Sequence, residues 1–583
     1  MRATWLVAAA LISPAALAQT VSLENTGEPL PEAVRERINS LLAEEDTADT
    51  RFEARRQARR AADIVLKVLN SEGYFDADAE ISVELEPKIT PKVILNAGEL
   101  FRFSDVSVLL ESKNGTIRDD VNVDLVPRMG KGDPARADQI ISEERRMFSQ
   151  LRDAGYPEAR ILDRALIGDR ENTSIDLTYR YQPGALVCMG DITLKNKGVT
   201  RPVMINRLSE IEPGQAYDAD KLATLERRLV QTRMFDLANV ELATSSEDRG
   251  ESGCQIREII IDLDDAPRQS VGLGASYSTS EGMGFQGDWQ RRNFTGRLDT
   301  LRTSLLVAEL EREFELAWEQ PVFGGYGRTL TFALTATDEE TDAYDRSALG
   351  ISADYDYRWT DRLTLSTGAS LEHSREDDGE TERDINLISG LLGGTWDGTD
   401  SALDPTQGFR VYLQGEPSYA IGDTEGAFIR TTSEVRGYTG INSDRFVLAG
   451  RFKMGSVYGA EQAELPVDRR FFAGGGGSVR GYGYQALGPE DDEGDPIGGR
   501  SLIETSIEGR WRIRDKYGAV LFVDAGEATK QELPRFSDLR AGVGVGFRYF
   551  TQFGPLRLDI ATPLDKREDD DPVQVYISIG QAF

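Results

Sequence analysis

The sequence of 583 residues predicts periplasmic α+β repeats followed by an antiparallel transmembrane β-barrel of about sixteen strands. Two patterns predict this fold class. The first half of the chain is similar to itself at regular offsets, and the second half alternates apolar with polar residues. The length also exceeds what a single hydrophobic core normally holds, so we expect several domains.

Residues 1–18 predict a signal peptide. Met1 and Arg2 precede the apolar run from Trp5 to Ile12, and Ala16-Leu-Ala18 fits an A-x-A cleavage site, so the mature chain would begin at Gln19. The alternative is a buried N-terminal helix, which the well-formed cleavage site disfavours. The prediction is therefore export across the inner membrane.

Composition excludes several classes of function. The chain has 67 Lys+Arg, 99 Asp+Glu, one His and two Cys, and its net charge is −32. Such a surface repels nucleic-acid phosphates, so we expect no nucleic-acid partner. One His and two Cys cannot supply a His-pair or four-thiolate metal site, and we expect no metal and no cofactor.

The two cysteines, Cys188 and Cys254, are a disulfide candidate. In an oxidising periplasm a single pair of cysteines is more often bonded than free. The alternative is two buried thiols that act as small apolar side chains.

Internal matches divide the first half into three repeats, at 19–97, 98–182 and 183–266. Gly98–Val106 aligns with Gly184–Ile192. A second set of matches is Leu69–Tyr74, Leu151–Tyr156 and the looser Leu229–Phe235, in which Met234-Phe235 replaces Gly-Tyr. Three copies at a similar spacing indicate three similar small domains.

Each repeat is predicted to have the order βααββ. In the first copy Leu30, Val34, Ile38 and Leu41 recur at helical spacing, and the segments 79–84 and 93–96 are extended. These apolar residues are interpreted as core. An exposed sheet edge of such a domain could accept an extended polypeptide as an added strand.

Residues 267–583 predict the barrel. In one strand, Leu363, Leu365 and Leu371 lie on one face and Thr364, Ser366 and Glu372 on the other. A second strand places Ile507 and Trp511 opposite Glu504, Glu508 and Arg510. An apolar outer face and a charged inner face are typical of a lipid-embedded barrel, and bacterial barrels have an even number of strands.

The connections of the barrel divide into two kinds. Acidic linkers at 338–345, 376–384, 490–495 and 565–571 fall on one side, and short turns at 323–327, 359–362 and 552–555 fall on the other. Long loops of such barrels are extracellular and short turns periplasmic, so the repeats are expected in the periplasm. The last strand ends at Phe583, in a run whose Val573, Val575, Ile577 and Ile579 face lipid.

The long connection that begins at Arg469 and continues to about Gly499 is the candidate functional segment. Its four glycines, Gly474 to Gly477, permit a narrow backbone that could fold into the lumen. Arg480 would then need a buried partner, and Asp524, Glu504 and Glu508 point inward by parity. The alternative is a solvated arginine on a flexible linker.

Four motifs resemble those of the bacterial POTRA-barrel outer-membrane assembly superfamily, the bacterial surface antigen family to which BamA belongs. They are Val479-Arg480-Gly481-Tyr482, Phe522-x-Asp524-x-Gly526, the segment 499–504, and 554–559. The resemblance implies three POTRA repeats, a sixteen-stranded barrel in the bacterial outer membrane, and contact between Arg480 and Asp524. It also makes the aromatic Phe583 a barrel C-terminal signal.

Three repeats and this length are most similar to the TamA-like branch of that superfamily. This implies a TamB-like inner-membrane-anchored partner, outer-membrane protein or autotransporter clients, and contact with outer-membrane lipid. The leading hypothesis is a non-enzymatic assembly factor with no catalytic residue, whose seam between the first strand (270–280) and the last (573–583) opens to clients. The alternatives are a BamA-type general insertase and a two-partner-secretion-like pore, while an enzyme is poorly supported.

Overall fold

The computed structural model describes residues 21–43, 48–86, 88–195, 198–244, 253–441, 445–551, 554–567 and 570–579. The predicted signal peptide, residues 1–18, and the terminal Phe583 lie outside the described residues. The chain forms two compact units. The first comprises Met1–Ile192, Ile211–Ala223 and Glu241–Ile259; the second comprises Thr193–Glu210, Thr224–Val240 and Ile260–Phe583.

The first repeat has the predicted βααββ order. Its elements are β1 (Ser22–Asn25), α1 (Glu32–Leu42), α2 (Arg51–Glu72), β2 (Asp78–Glu84) and β3 (Thr90–Asn96). The sheet order is β1-β3-β2, with β1 parallel and β2 antiparallel to β3. A capping box between Thr50 and Glu53 starts α2, and Gly73 ends it in a left-handed conformation. In α1, Leu42 is buried whereas the predicted core residue Leu41 is 43% exposed.

The second repeat departs from that order. It consists of β4 (Arg102–Leu110), α3 (Ala137–Asp153), β5 (Arg160–Ile161), β6 (Ala165–Asp169) and β7 (Ser174–Gln182). The prediction of two helices was wrong here, because the described chain before α3 is irregular. In that segment Val121 and Val123 alternate with polar residues and pack on the core, and Pro127 follows, a pattern that does not favour a helix.

The third repeat returns to βααββ. Its elements are β8 (Val187–Leu194), α4 (Pro202–Leu208), α5 (Ala219–Gln231), β9 (Phe235–Leu242) and β10 (Gln255–Asp265), with sheet order β8-β10-β9. Cys188 on β8 and Cys254, which directly precedes β10, form a disulfide with Cα atoms 5.7 Å apart. The structure therefore confirms the bonded alternative for this pair.

The repeats are joined by the same hydrogen bond at both junctions. The Phe101 N–H donates to the carbonyl of Gly73 (3.0 Å), and the Val187 N–H donates to the carbonyl of Gly155 (2.8 Å). Both glycines have φ 100°, a conformation that other residues rarely adopt. The sequence matches around Leu69–Tyr74 and Leu151–Tyr156 thus mark structurally equivalent junctions.

A closed antiparallel barrel of sixteen strands follows. Its strands are β11 (Gln269–Ser278), β12 (Gly282–Arg292), β13 (Thr300–Ala308), β14 (Glu311–Gln320), β15 (Arg328–Glu340), β16 (Asp345–Arg358), β17 (Leu363–Asp377), β18 (Glu382–Asp397), β19 (Gly408–Gly422), β20 (Gly426–Gly440), β21 (Phe446–Tyr458), β22 (Ser501–Arg514), β23 (Tyr517–Thr529), β24 (Arg540–Thr551), β25 (Gly554–Pro563) and β26 (Gln574–Ile579). The predicted fold class is confirmed.

Side-chain exposure follows the predicted parity. Leu371 and Trp511 are exposed on the outer face, whereas Glu508 and Arg510 are buried in the lumen. The acidic linkers lie at the barrel end opposite the connection from β10 to β11. The other end is not uniformly made of short turns, because residues 398–407 form a longer connection there. None of the described helices is long and apolar enough to cross a membrane.

Removing the disulfide is expected to destabilise the third repeat. Cys188→Ser removes a cross-link between two positions that lie 66 residues apart in the sequence, and loss of such a bond typically costs about 2–5 kcal/mol. The expected result is faster cleavage between β8 and β10 in limited proteolysis of the full-length protein. Dithiothreitol should produce the same change in the unmodified protein and none in the variant. Equal cleavage rates in all four samples would contradict a stabilising role.

Candidate functional site

The connection between β21 and β22, residues 459–500, lies inside the barrel and is called here the lumenal loop. It is largely apolar where it meets the wall. Its buried side chains Leu465, Phe471, Val479, Tyr482 and Leu487 form one cluster with the wall residues Ile385, Leu387, Phe428, Val457 and Leu502. The wall residues face inward, so the lumen is partly apolar where the loop covers it. The alternative of a solvated flexible linker was wrong.

Arg480 is the most extensively bonded residue of the lumenal loop, and its side chain is 2% exposed. Its Nε donates to Asp524 Oδ2 (2.6 Å) and its Nη2 to Asp524 Oδ1 (2.9 Å). The backbone N–H of Arg480 also donates to Asp524 Oδ2 (3.2 Å). This bidentate geometry is the strong form of an arginine–carboxylate pair, and it places Asp524 on β23 as the predicted partner.

Two further carboxylates complete the site around the guanidinium. Arg480 Nη2 lies 2.8 Å from Glu508 Oε1 on β22, and Nη1 donates to Asp559 Oδ2 on β25 (3.0 Å). The ring of Phe522 lies under the guanidinium, with its centroid 3.4 Å from the Arg480 carbon Cζ. Strands β22, β23 and β25 therefore hold one side chain, and Phe522 and Asp524 of the F-x-D-x-G motif both contact it.

The sequence prediction did not include Asp559 as a partner. Asp559 also accepts from Arg557 Nε (2.5 Å) and binds Arg548, so one carboxylate serves three arginines. A parity argument could have placed it inward, since its neighbours Leu558 and Ile560 face outward. The missing information was the register of β25, which decides the height at which Asp559 meets Arg480.

Glu504 does not bind Arg480, and that part of the predicted partner set was wrong. Its Oε1 accepts from Ser478 Oγ (2.5 Å), and its Oε2 accepts from Arg451 Nη2 (3.0 Å). Glu504 lies four residues before Glu508 on β22, beyond the reach of the Arg480 guanidinium. It still holds the lumenal loop, but through Ser478 and not through the arginine.

Small residues on β23 and β24 make room for the loop. A Cβ added to Gly542 would lie 2.0 Å from the carbonyl oxygen of Arg480, and one on Gly544 would lie 2.3 Å from the Phe522 ring. A Cβ on Gly526 would meet Val479 at 2.8 Å. Gly542 and Gly526 therefore leave room for the loop, and Gly544 leaves room for the ring of Phe522.

The lumenal loop contacts both sides of the barrel seam, where β26 meets β11. The Gly481 N–H donates to Tyr576 Oη on β26 (3.1 Å), and the Gly476 N–H donates to Glu281 Oε1 in the hairpin after β11 (2.9 Å). Tyr482 Oη donates to the carbonyl of Ala541 (3.0 Å). The lumenal loop thus contacts β22 to β26 through the V-R-G-Y motif and the first hairpin through Gly476.

A second group of buried charges holds residues 467–468 of the loop to the barrel wall formed by β15, β16 and β17. Arg346 on β16 donates through Nη1 to Glu339 (2.9 Å) and through Nη2 to Glu372 (2.7 Å) and to Asp468 of the loop (3.1 Å). Glu376, fully buried on β17, accepts from the Val467 N–H (3.0 Å). This second anchor joins residues 467–468 to β15, β16 and β17.

Two further arginines, one in the loop and one on β18 of the wall, extend the second anchor. Arg470 Nη2 donates to Asp378 (3.1 Å), and Arg383 Nη1 donates to the carbonyl of Ala463 (2.9 Å). The sequence carried no signal for this anchor, because an acidic loop boundary such as 376–384 is normally solvated. Its residues become recognisable only when the loop is seen to fold back onto them.

No group of His, Cys, Asp or Glu suited to a metal ion occurs within the described ranges. The buried carboxylates are already engaged by arginines, so the site is a set of ion pairs that fixes a loop. This geometry positions protein segments against each other.

The structure combines small α/β repeats with a closed sixteen-stranded barrel whose lumenal loop is held by a buried arginine, which is the architecture of a repeat-bearing outer-membrane barrel. Residues 293–583 match the Omp85 superfamily domain, and this part of the chain is an Omp85 domain. The barrel lies in the bacterial outer membrane, with the POTRA-like repeats in the periplasm.

Curated relatives carry the name outer membrane protein assembly factor BamA. The protein from Nitratidesulfovibrio vulgaris is 25% identical over 468 residues, covering 76% of this chain and 57% of the relative. The protein from Neorickettsia risticii is 22% identical over 585 residues, covering 95% and 76%. The chain thus spans little more than half the length of the first of these relatives.

A solved structure shares the fold. BamA from Haemophilus ducreyi lacking POTRA domains 1–3 superposes with a TM-score of 0.67 at 17% identity, covering 82% of this chain and all of that one. The agreement extends the likeness from the barrel to repeats preceding it.

The room for the loop can be tested with a pair of alanine substitutions. Gly542→Ala places a methyl group against Arg480, whereas Gly437→Ala, on the outer face of β20, meets nothing within 4 Å. We expect the Gly542 variant to show larger single-channel conductance in planar bilayers and a lower melting temperature, because overpacking costs about 1–3 kcal/mol. The Gly437 variant should match the unmodified protein; equal behaviour of the two variants would contradict the space argument.

Proposed function

We propose that this protein is the outer-membrane subunit of a translocation and assembly module, as in the TamA-like branch of the superfamily. It assists insertion or translocation of outer-membrane proteins, including autotransporters, through the seam of its barrel. It is non-enzymatic and uses no cofactor. The periplasmic repeats receive clients or an inner-membrane-anchored, TamB-like partner.

The pairing of the seam carries this proposal. Within the described residues, β11 and β26 share two residue pairs, Tyr277 with Ile577 and Ser278 with Tyr576, whereas β11 and β12 share ten. Among the described residues, the rest of β11, residues 269–276, has no strand partner on that side. An edge of this kind is a template for an added strand, and here it lies at membrane depth.

The lumenal loop supports the same proposal. Since the loop contacts Tyr576 on one side of the seam and Glu281 on the other, its position is coupled to seam closure. A client strand that pairs with β11 would compete with β26, and the ion pairs of Arg480 would keep β22, β23 and β25 attached to the loop while the seam opens. The surrounding outer-membrane lipid would meet the incoming strand at this edge.

A BamA-type general insertase is the second candidate, favoured by the names of the relatives and by the seam, which serves that role equally. A polypeptide pore of the two-partner-secretion kind is less well supported. Its route would be the lumen, which the loop and its buried cluster occupy.

Locking the seam tests the lateral route. Tyr277→Cys with Ile577→Cys places two outward cysteines directly opposite across the seam. The matched control, Leu558→Cys with Ile577→Cys, bridges the continuous pairing of β25 and β26. The native cysteines are bonded to each other and leave no free thiol among the described residues.

Oxidation should block client assembly in the seam variant, because the strands can no longer separate, and leave the control active. Client assembly is measured as the amount of folded autotransporter in the outer membrane. Unimpaired assembly with a locked seam would overturn the lateral route and favour passage through the lumen.

The partner distinguishes the two leading candidates. We expect the full-length protein, purified from its own bacterium after mild cross-linking, to carry an inner-membrane-anchored TamB-like protein. The check is mass spectrometry of the cross-linked complex, with a variant lacking residues 21–97 as the control for contacts through the first repeat. Recovery of the lipoproteins of a general insertase machine would instead assign the protein to the BamA type.

A further inference from the structure

Helix α2 of the first repeat carries a row of exposed arginines, which we call the arginine stripe: Arg51, Arg55, Arg56 and Arg59. Spacings of three and four residues place their side chains on neighbouring positions of one helix face. Phe52, beside them, is 78% exposed, although large aromatic side chains usually find cover. The face combines a local positive charge with an uncovered aromatic ring, in a chain whose net charge is −32.

These arginines have no partner in the described part of the chain. Some arginines elsewhere in the repeats pair with acids, as Arg37 does with Glu72 (2.7 Å) and Arg180 with Glu111 (2.7 Å). None of the four stripe arginines forms such a pair with a described residue. Leaving four cations unpaired on an acidic protein concentrates a positive field at one place.

The stripe is not a requirement of the repeat fold. The junction matches Leu69, Leu151 and Leu229 align α2 with α3 and α5. At the positions equivalent to the stripe, the second repeat has Asp133, Ala137, Asp138 and Ile141, and the third has Ile211, Gln215, Ala216 and Ala219. Of these positions only Ala137, Asp138, Ile141 and Ala219 lie in α3 or α5, so the stripe occupies the first turns of a longer α2, and neither other repeat has a basic residue there. The packed face of α2, which includes Ala54, Ala58 and Val65, is separate from the arginines.

We propose that the arginine stripe and Phe52 are the docking surface for an acidic polypeptide segment of a partner protein. Arginine binds carboxylates through a planar pair of donors, and aromatic and arginine residues dominate protein interfaces. A membrane surface fits less well. The apolar face of α2 is buried in the repeat, so Phe52 alone remains for insertion, whereas interfacial helices present a whole apolar face to lipid.

The proposal deepens the proposed function, since it rests on the periplasmic repeats receiving a partner, and it names the chemistry of that partner. Its test is independent of client assembly. Full-length protein in phosphatidylcholine nanodiscs is titrated into a fluorescein-labelled polyglutamate peptide, and fluorescence anisotropy reports binding. Flotation with phosphatidylglycerol vesicles reports binding to an anionic lipid surface.

The informative variant is Arg55→Gln with Arg59→Gln, which leaves the packed face intact. The matched control is Arg145→Gln with Arg227→Gln, which removes the same charge from exposed positions on α3 and α5. We expect the stripe variant to bind the peptide about tenfold more weakly, through loss of two charge-assisted contacts, and the control to bind as the unmodified protein does.

Equal peptide affinity of the two variants would overturn the proposal, and so would stripe-dependent flotation without peptide binding, which would assign the surface to lipid. Neither result bears on the seam. A locked seam without effect on client assembly would refute the proposed lateral route while leaving peptide binding at the stripe unchanged, so the two failures are distinguishable.

Discussion

The arrangement of the barrel lumen depends on one desolvated cation. A guanidinium as fully buried as that of Arg480 is tolerated only when carboxylates and hydrogen bonds replace its water. Asp524, Glu508 and Asp559 do so from β23, β22 and β25, which fixes the positions of these strands along the barrel axis relative to one another. Removing one partner of such a group typically costs about 3–5 kcal/mol, more than a surface pair contributes. The loop conformation and the inward glycines follow from that requirement.

Several arginines share the carboxylates around Arg480, and this sharing has a structural consequence. Asp559 is shared by Arg480, Arg548 and Arg557, so loss of the loop arginine would leave two arginines on one carboxylate. Asp524, by contrast, would keep the hydroxyl of Ser506, at 2.5 Å. The pair with Asp524 is therefore specific to the inserted loop, while the cluster around Asp559 holds β24 and β25 together in either state.

Much of this could be predicted from the sequence, and the limits have physical causes. Alternation with a period of two predicts the barrel and identifies which residues face inward, which made Asp524, Glu504 and Glu508 candidate partners of Arg480. The family resemblance then singled out Asp524. Alternation does not give register, so Glu504 was included and Asp559 omitted. Contacts between a folded-back loop and a distant wall, such as Asp468 with Arg346, leave no periodic signal at all. The irregular segment of the second repeat shows the same limit, since the tertiary core accepts Val121 and Val123 without a helix.

The two anchors of the lumenal loop bind opposite walls of the barrel. This arrangement allows the seam to open while the rest of the barrel keeps its shape. The second anchor joins the loop to β15, β16 and β17, while Arg480 joins it to β22, β23 and β25. The loop therefore acts as a brace across the lumen. A barrel that loses pairing along one line would otherwise flatten, because an open sheet has no constraint on its curvature.

With the brace in place, separation can be confined to the line between β26 and β11, where the described pairing is shortest. The contacts of the loop with Tyr576 and Glu281 then oppose this separation. Tyr576 Oη accepts from the Gly481 N–H and donates to the Tyr482 carbonyl (3.5 Å), and Glu281 accepts from the Gly476 N–H. These few hydrogen bonds are far weaker than the buried ion pairs of the loop.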